Sequence, residues 1–272
     1  MEKGTGCASA TRRADTAHLR AVCHFLASYA GAMLGCGATC IRIFKNITRM
    51  VETLHMEWDM IVLPNHVLIT LSDGEGKVTV QESHSIMKLP VSYQLNARLS
   101  NLSWKVAEGK VDFVMARKLF THLISHHDKG LRKPWSVMLL VVAANASFCR
   151  LFGGDVAAMF LVALATFVGY SYKIIFLKHK WNVRPIMLMC AFISTVIGAG
   201  GYIFSLSSTP EVALGTSVLY LIPGIPYINS VSDMIAAHYL CGFSRFMQGL
   251  VLTCCIALGM MAGILLMNLS IF

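Results

Sequence analysis

The chain has 272 residues, is 56% hydrophobic and only 14% charged, and carries a net charge of +9. Residues 1–134 hold 17 of the 23 Lys+Arg and 11 of the 14 Asp+Glu, which leaves nine charges for residues 135–272. An average soluble protein is roughly 25% charged, so a soluble globular fold is excluded for the second half. The basic excess reads as membrane orientation rather than as a nucleic-acid surface.

Residues 1–15 are small and polar and read as a disordered N-terminus. Leu19, Val22, Cys23, Leu26, Ala30, Met33 and Leu34 then recur at helical spacing, which predicts an amphipathic helix over 16–34. Arg12, Arg13 and Arg20 before Cys36 loosely resemble a lipoprotein signal. His24, Ser28 and Tyr29 interrupt that stretch, and the residues before Cys36 match a lipidation box poorly. After Gly35-Cys36-Gly37 a second helix runs to about residue 56, with Cys40, Phe44, Ile47, Val51 and Leu54 on its apolar face and Arg42, Lys45, Arg49 and Glu52 opposite. Residues 60–63, 67–71 and 77–81 read as strands, the last two joined at Asp73-Gly74-Glu75-Gly76. Helices over 92–107 and 111–127 complete a cytosolic α+β domain at 16–134.

Apolar runs at 135–149, 156–172, 186–206, 212–232 and 246–272 predict five transmembrane helices in a domain at 135–272, since a span needs about 17–25 residues. The expected fold class is therefore an α-helical integral membrane protein, five transmembrane helices preceded by a cytosolic α+β domain. Lys173, Lys178, Lys180 and Arg184 all fall in the second connection, which places that loop and the N-terminal domain in the cytoplasm of a multi-pass protein of the cytoplasmic (inner) membrane.

Nine cysteines with no C-x-x-C spacing read as reduced thiols acting as small hydrophobes. His122 and His126 have zinc-ligand spacing, but Leu123 stands where a protease motif needs Glu, so they read as a solvated face and no metal is expected. Gly74-Glu75-Gly76-Lys77 lacks the upstream glycine of a phosphate loop, and Gly259 and Gly263 are a helix-packing pair. No Ser/His/Asp set stands in a plausible context, so neither an enzyme nor a cofactor is expected.

The informative stretch is Pro223-Gly224-Ile225-Pro226, followed by Asn229, Ser230 and Asp233. Two prolines and a glycine cannot sustain a regular helix. Broken backbone at membrane depth is tolerated only where it is buried or lines a cavity, as in transporters. The other reading ends span four at Pro223 and leaves Asp233 in a cytoplasmic loop. Arg150 and Asp155 bracket a short connection and read as an interfacial pair. A pair between Asp233 and Arg245 is conceivable but has no support from spacing.

Three stretches together resemble the threonine/serine exporter family, in the same order along about residues 17–270. Met33-Leu34-Gly35-Cys36-Gly37-Ala38-Thr39-Cys40-Ile41-Arg42 is similar to its G-A-x-x-x-R signature, here Gly37, Ala38 and Arg42. The run from Ala144 and Asn145 through Arg150 to Phe152-Gly153-Gly154-Asp155 is similar to its first membrane motif, ending F-G-G-D. Pro223, Gly224 and Pro226 with Asn229, Asp233, Gly242 and Arg245 are similar to its P-G-x-P…N…D…G-x-x-R block. Beside the signature arginine the family often has a polar or acidic residue, where this chain has Ile43-Phe44.

The resemblance implies proton-driven export of small amino acids such as threonine and serine, with succinate as the solute of some two-component relatives. Full-length members carry about twice as many spans, so it also implies a small membrane partner subunit of roughly four or five spans that completes the pathway. On that footing Asp233 would couple protons or hold the substrate ammonium, Asn229 and Ser230 would make polar contacts, and Arg245 or Arg150 would hold the substrate carboxylate. The alternatives are a dicarboxylate exporter subunit and a membrane-anchored sensor or interaction protein.

Overall fold

The computed structural model describes residues 5–73, 78–87, 89–126 and 134–268, with side chains from Thr16 onward except that of Pro134. The expectations for residues 1–4, the turn at 74–76 and the end of the fifth apolar run lie outside the described residues, as does the Cys7 side chain. The chain forms two compact units. One is Met1–Gly130 with Tyr227–Phe246, the other Leu131–Pro226 with Met247–Phe272.

The first unit begins with α1 (Thr5–Gly35) and α2 (Cys40–Glu52). Three antiparallel strands follow, β1 (Glu57–Val62), β2 (His66–Ser72) and β3 (Thr79–Ser85), in the order β1-β2-β3. Register is set by alternation: Val67, Ile69 and Leu71 of β2 face inward, and Leu71 stands opposite Trp58 on one side and Val80 on the other. The stripe Leu19, Val22, Cys23, Leu26, Ala30 and Met33 of α1 covers that face, as the helical spacing predicts. α3 (Tyr93–Ala107) and α4 (Phe113–Ser125) close the core, with Ser92 capping α3 through Leu95 N.

The buried face of α2 contains the expected one and is wider: Phe44 and Leu54 pack partly buried against the same core as Cys40, Ile47 and Val51. Ile43, Asn46 and Met50 are inside along with Cys40, Ile47 and Val51, while Phe44 is half-exposed. Asn46 is the added member that the apolar pattern could not place inside. It donates to the Tyr29 hydroxyl at 3.1 Å and to Ser100 Oγ at 2.9 Å, and Tyr29 in turn donates to Leu99 O at 2.8 Å. A buried amide with partners at this spacing is a favourable core element rather than a liability. Arg49 lies over the Trp104 ring at 3.6 Å and donates to Ser103.

The second unit contains α5 (Pro134–Leu151), α6 (Val156–Lys178), α7 (Val183–Gly198), the short α8 (Gly200–Ile203) and α9 (Pro210–Thr216). After a 3-10 turn at Leu219–Leu221 the chain enters α10 (Gly224–Ile235), and it ends in α11 (Tyr239–Leu266). Among the described residues three helices are long and apolar enough to cross a membrane: Val156–Lys178, Val183–Ile203 and Tyr239–Leu266. A fourth is added only if Pro210–Leu221 and Gly224–Ile235 act as one broken span, and Trp135–Leu151 is apolar but shorter. The count read from the sequence was five. Two physical stops account for the difference: Pro223, which has no N–H to continue the ladder, and the turn after α5.

That turn explains the Phe152-Gly153-Gly154-Asp155 run. Gly153 adopts φ +88°, with Gly153 N donating to Arg150 O and Gly154 N to Cys149 O, the paired bonds of a Schellman stop. Asp155 then opens α6, its Oδ1 accepting from Ala158 N at 2.7 Å. The expected Arg150–Asp155 pair does not form: Arg150 donates to Gly154 O, and Asp155 accepts from Ser207 and Ser208. Hydroxyl and amide donors satisfy the carboxylate fully, so it has no need of the guanidinium.

These bonds, first the one from Ala158 N and then those from Ser208 and Ser207, hold the Asp155 carboxyl well below the usual carboxylate range. Its contribution to stability is therefore complete above the unfolded-state value of about 4 and is lost progressively as pH falls below it. Asp155→Asn should lose amide protection in the first turn of α6 at pH 7 and show less acid-dependent loss than the unaltered chain, measured by hydrogen exchange.

Candidate functional site

The site grows from the end of α1. Gly37 has φ +90°, Gly37 N donates to Leu34 O and Ala38 N to Met33 O, so α1 ends in a second Schellman stop. Only glycine adopts this conformation cheaply, and the Val91 side chain leaves no room for a Cβ in any case. The turn leaves the carbonyls of residues 37 and 38 without helical partners, and it leaves the first amides of α2 free because Thr39 makes no side-chain cap.

Three side chains from far along the chain, within the same unit, supply what is missing. Asn229 Nδ2 donates to Gly37 O at 3.0 Å, Arg245 Nη2 donates to Ala38 O at 2.7 Å, and Cys40 N donates to Asp233 Oδ1 at 2.7 Å. The Asp233 carboxylate thus acts as an N-cap for α2 supplied from another helix, where the helix dipole favours negative charge. Arg245 Nη1 lies 2.8 Å from Asp233 Oδ2. Those two atoms touch as opposite charges but are off the axis of an aligned hydrogen bond.

Asp233 is fully buried and the Arg245 side chain is 14% exposed, so the pair is screened little by solvent. Asn229 and Asp233 share one face of α10, four residues apart, as read from the sequence. Between them Ser230 donates to Gly242 O at 2.7 Å, and Gly242 lies so close to Met234 and Ser230 O that α10 and α11 meet without side-chain bulk. α10 ends in a third Schellman stop, with Ala237 at φ +62° and His238 N donating to Asp233 O.

Gly37, Ala38, Asn229, Ser230, Asp233 and Arg245 therefore come together, joined by the backbone of Cys40. Arg42 does not join them; it is exposed on the first turn of α2. Gly224 and Pro226 start α10, where a proline in the first turn loses no helical hydrogen bond. Cys241 is the member that sequence reasoning missed. Its sulfur, that of Cys40 and an Asp233 oxygen all lie within 4.8 Å of one another, and all three residues are buried. Hydrogen bonding to Cys241 and burial push the Cys40 thiol up and keep it protonated.

In the second unit Asn145 is buried. It donates to Thr166 Oγ1 at 2.6 Å and to Thr216 O at 3.2 Å, and it borders a cavity of about 440 Å³ lined also by Phe148 and Tyr220. The Tyr220 hydroxyl pairs with Ser194 at 2.9 Å and sits against Gly169. Thr166, Ser194, Thr216 and Tyr220 had no signal in the sequence beyond being polar residues in apolar runs.

The family described as "Putative threonine/serine exporter" (ThrE) matches residues 24–267. The chain belongs to this family. The match takes in both units and every residue of the buried clasp that the Asn229, Asp233 and Arg245 side chains make on the α1–α2 turn. Two relatives are each named "Probable succinate transporter subunit YjjP". The one from Klebsiella aerogenes is 26% identical over 263 residues, 94% of this chain and 98% of the relative. The one from Escherichia coli (strain K12) is 27% identical over 210 residues, 75% and 77% of the two chains. No solved structure matches. In this ThrE member, then, two of the family-like sequence blocks meet in three dimensions at the α1–α2 turn, and the third forms the α5–α6 turn.

Removing one partner of a buried ion pair strands the other charge and typically costs about 3–5 kcal/mol. Arg245→Gln and Asp233→Asn should each lower the unfolding midpoint of the detergent-solubilised chain. The double variant keeps neutral groups able to bond Ala38 O and Cys40 N, so it should be less damaging than the sum of the singles by about 0.5–3 kcal/mol. Additive losses would mean that the two charges are not coupled.

Proposed function

We propose that this chain is one subunit of a secondary exporter in the cytoplasmic (inner) membrane that moves a small carboxylate-bearing solute outward together with a separate small membrane subunit. The end-to-end likeness to relatives named as transporter subunits carries this reading. In it α5, α6, α7 with α8, the Pro210–Leu221 segment and α11 supply five spans, α5 and Pro210–Leu221 being the short ones, and the first unit is a cytosolic α+β domain. The exposed basic connection at Lys178, Lys180 and Arg184 supports the orientation.

Two solute classes have support. The family's description favours threonine and serine, as the sequence motifs do. Both relatives' names favour succinate, and because one of them matches over nearly its whole length we take a dicarboxylate as the better supported solute, with threonine and serine second.

The clasp suggests how the domain takes part. Asp233 faces Cys40 N and Arg245, so a substrate ammonium would have to displace the guanidinium, which favours proton coupling over direct capture. A proton on Asp233 removes the charge that holds Arg245 and weakens the cap on α2, so the turn at residues 37–39 is freed. Asn145 and the hydroxyls around it line the solute's route through the membrane unit, and the Gly153–Asp155 turn fixes the ends of the helices that form it. Arg150 is left the weaker candidate for the solute carboxylate, because it is engaged with Gly154 O.

The test is efflux of labelled succinate, threonine and serine from cells that lack their own exporters and co-express this chain with a small membrane partner. Succinate efflux that collapses with the proton gradient and falls about tenfold or more in Asp233→Asn is expected. Efflux of none of the three solutes, or restoration of function by residues 1–134 without the membrane helices, would overturn the exporter reading in favour of a sensor.

A further inference from the structure

The buried group of Cys40, Asp233 and Cys241 has a property that the ion pair alone does not use. Its three ligand atoms come from the start of α2, the last turns of α10 and the first turn of α11, and they lie mutually within 4.8 Å. Two thiols and a carboxylate are a donor set for a borderline or soft divalent cation, with bonds of about 2.3 Å to sulfur and 2.0–2.2 Å to oxygen. Tetrahedral placement at those bond lengths puts the ligand atoms a little under 4 Å apart, so the group needs to close by only about 1 Å. Cys241 stands in the first turn of α11, where the dipole stabilises thiolate, while the Cys40 thiol is held protonated in the free site and gives up its proton only to a bound metal.

Charge supports the same conclusion. With both thiols protonated, the buried group consists of Asp233 and Arg245 and is neutral. With a divalent cation bound, two thiolates and the carboxylate contribute three negative charges against two from the metal and one from Arg245, and the sum is again zero. Two protons exchange for one divalent cation without leaving net charge in the interior, where an unbalanced charge is costly. With both thiols ionised, a monovalent or a trivalent ion would leave a net charge in the interior.

We propose that Cys40, Cys241 and Asp233 form a binding site for one divalent d10 cation of the zinc class, with Arg245 retained beside it as the balancing charge. On binding, the two S–H bonds break, two metal–sulfur bonds form, and two protons pass to solvent. The proposal stands on this cluster alone and holds whatever solute the membrane helices pass.

The experiment uses the full-length chain in detergent with Zn2+ as the only added metal, and Co2+ as a spectroscopic substitute. One Zn2+ per chain should remain through gel filtration, about two protons should be released per metal into a weak buffer, and Co2+ should give a thiolate charge-transfer band. Cys40→Ser and Cys241→Ser should each weaken binding by about tenfold or more. Cys254→Ser, at an exposed position of α11, should not. Because the clasp variants could be unstable, the unaltered protein supplies a second reading: Zn2+ should slow alkylation of Cys40 and Cys241 but not of Cys254. Absence of stoichiometric Zn2+, retention that survives loss of both cysteines, or a Cys40–Cys241 disulfide in place of the metal would overturn the proposal.

Discussion

A carboxylate with no access to water dominates the energetics of the first unit. Asp233 is tolerable in the interior only because a backbone amide at the head of α2 and the Arg245 guanidinium both face it. The same constraint reaches outward. Arg245 must also reach Ala38 O, and that carbonyl is free only because Gly37 has ended α1 in a left-handed turn. Helix ends, normally the places where backbone groups go to solvent, here face inward and are satisfied by side chains nearly two hundred residues away. A buried pair of this kind is a weak source of net stability but a strong specifier of geometry. Its loss is felt at every element it joins, namely α1, α2, α10 and α11.

Glycine at two positions has the same physical job in both units. Gly37 and Gly153 each take positive φ at the C′ position of a Schellman stop. In one case the released carbonyls meet Asn229 and Arg245. In the other the chain passes directly into Asp155, which caps α6 and gathers the serines at 207 and 208. The sequence patterns G-A and F-G-G-D thus encode chain reversals with defined hydrogen-bond partners. Neither supplies an exposed ligand, and this is why the assignment of Arg150 to Asp155 fails: spacing brings the two residues near each other, but better-aligned donors are nearer.

The sequence was most informative where one physical signal dominated. Hydrophobic periodicity located α1 and the alternation of β2, and charge scarcity marked the membrane helices. The break at Pro223 followed from the absent proline N–H. Periodicity found the apolar face of α2 but missed its width, because Asn46 is buried through bonds to Tyr29 and Ser100, which no one-dimensional pattern contains. The Asp233–Arg245 pair was invisible to spacing because the intervening residues include the stop at Ala237, which folds α11 back along α10. Cys241 was hidden for the same reason: its partner Cys40 lies on a different helix, and metal-ligand spacing rules address ligands on one element.

Asp233 holds the start of α2 from a distance. Hydrogen exchange at the Cys40 amide tests it most directly, comparing the unaltered chain with Asp233→Ala. Cys40 exchange should accelerate by about tenfold or more, the loss of one charge-assisted bond, while protection of Ile69 and Leu71 in β2 is unchanged. Unchanged protection at Cys40 would contradict it, and so would an equal loss at Cys40 and in β2.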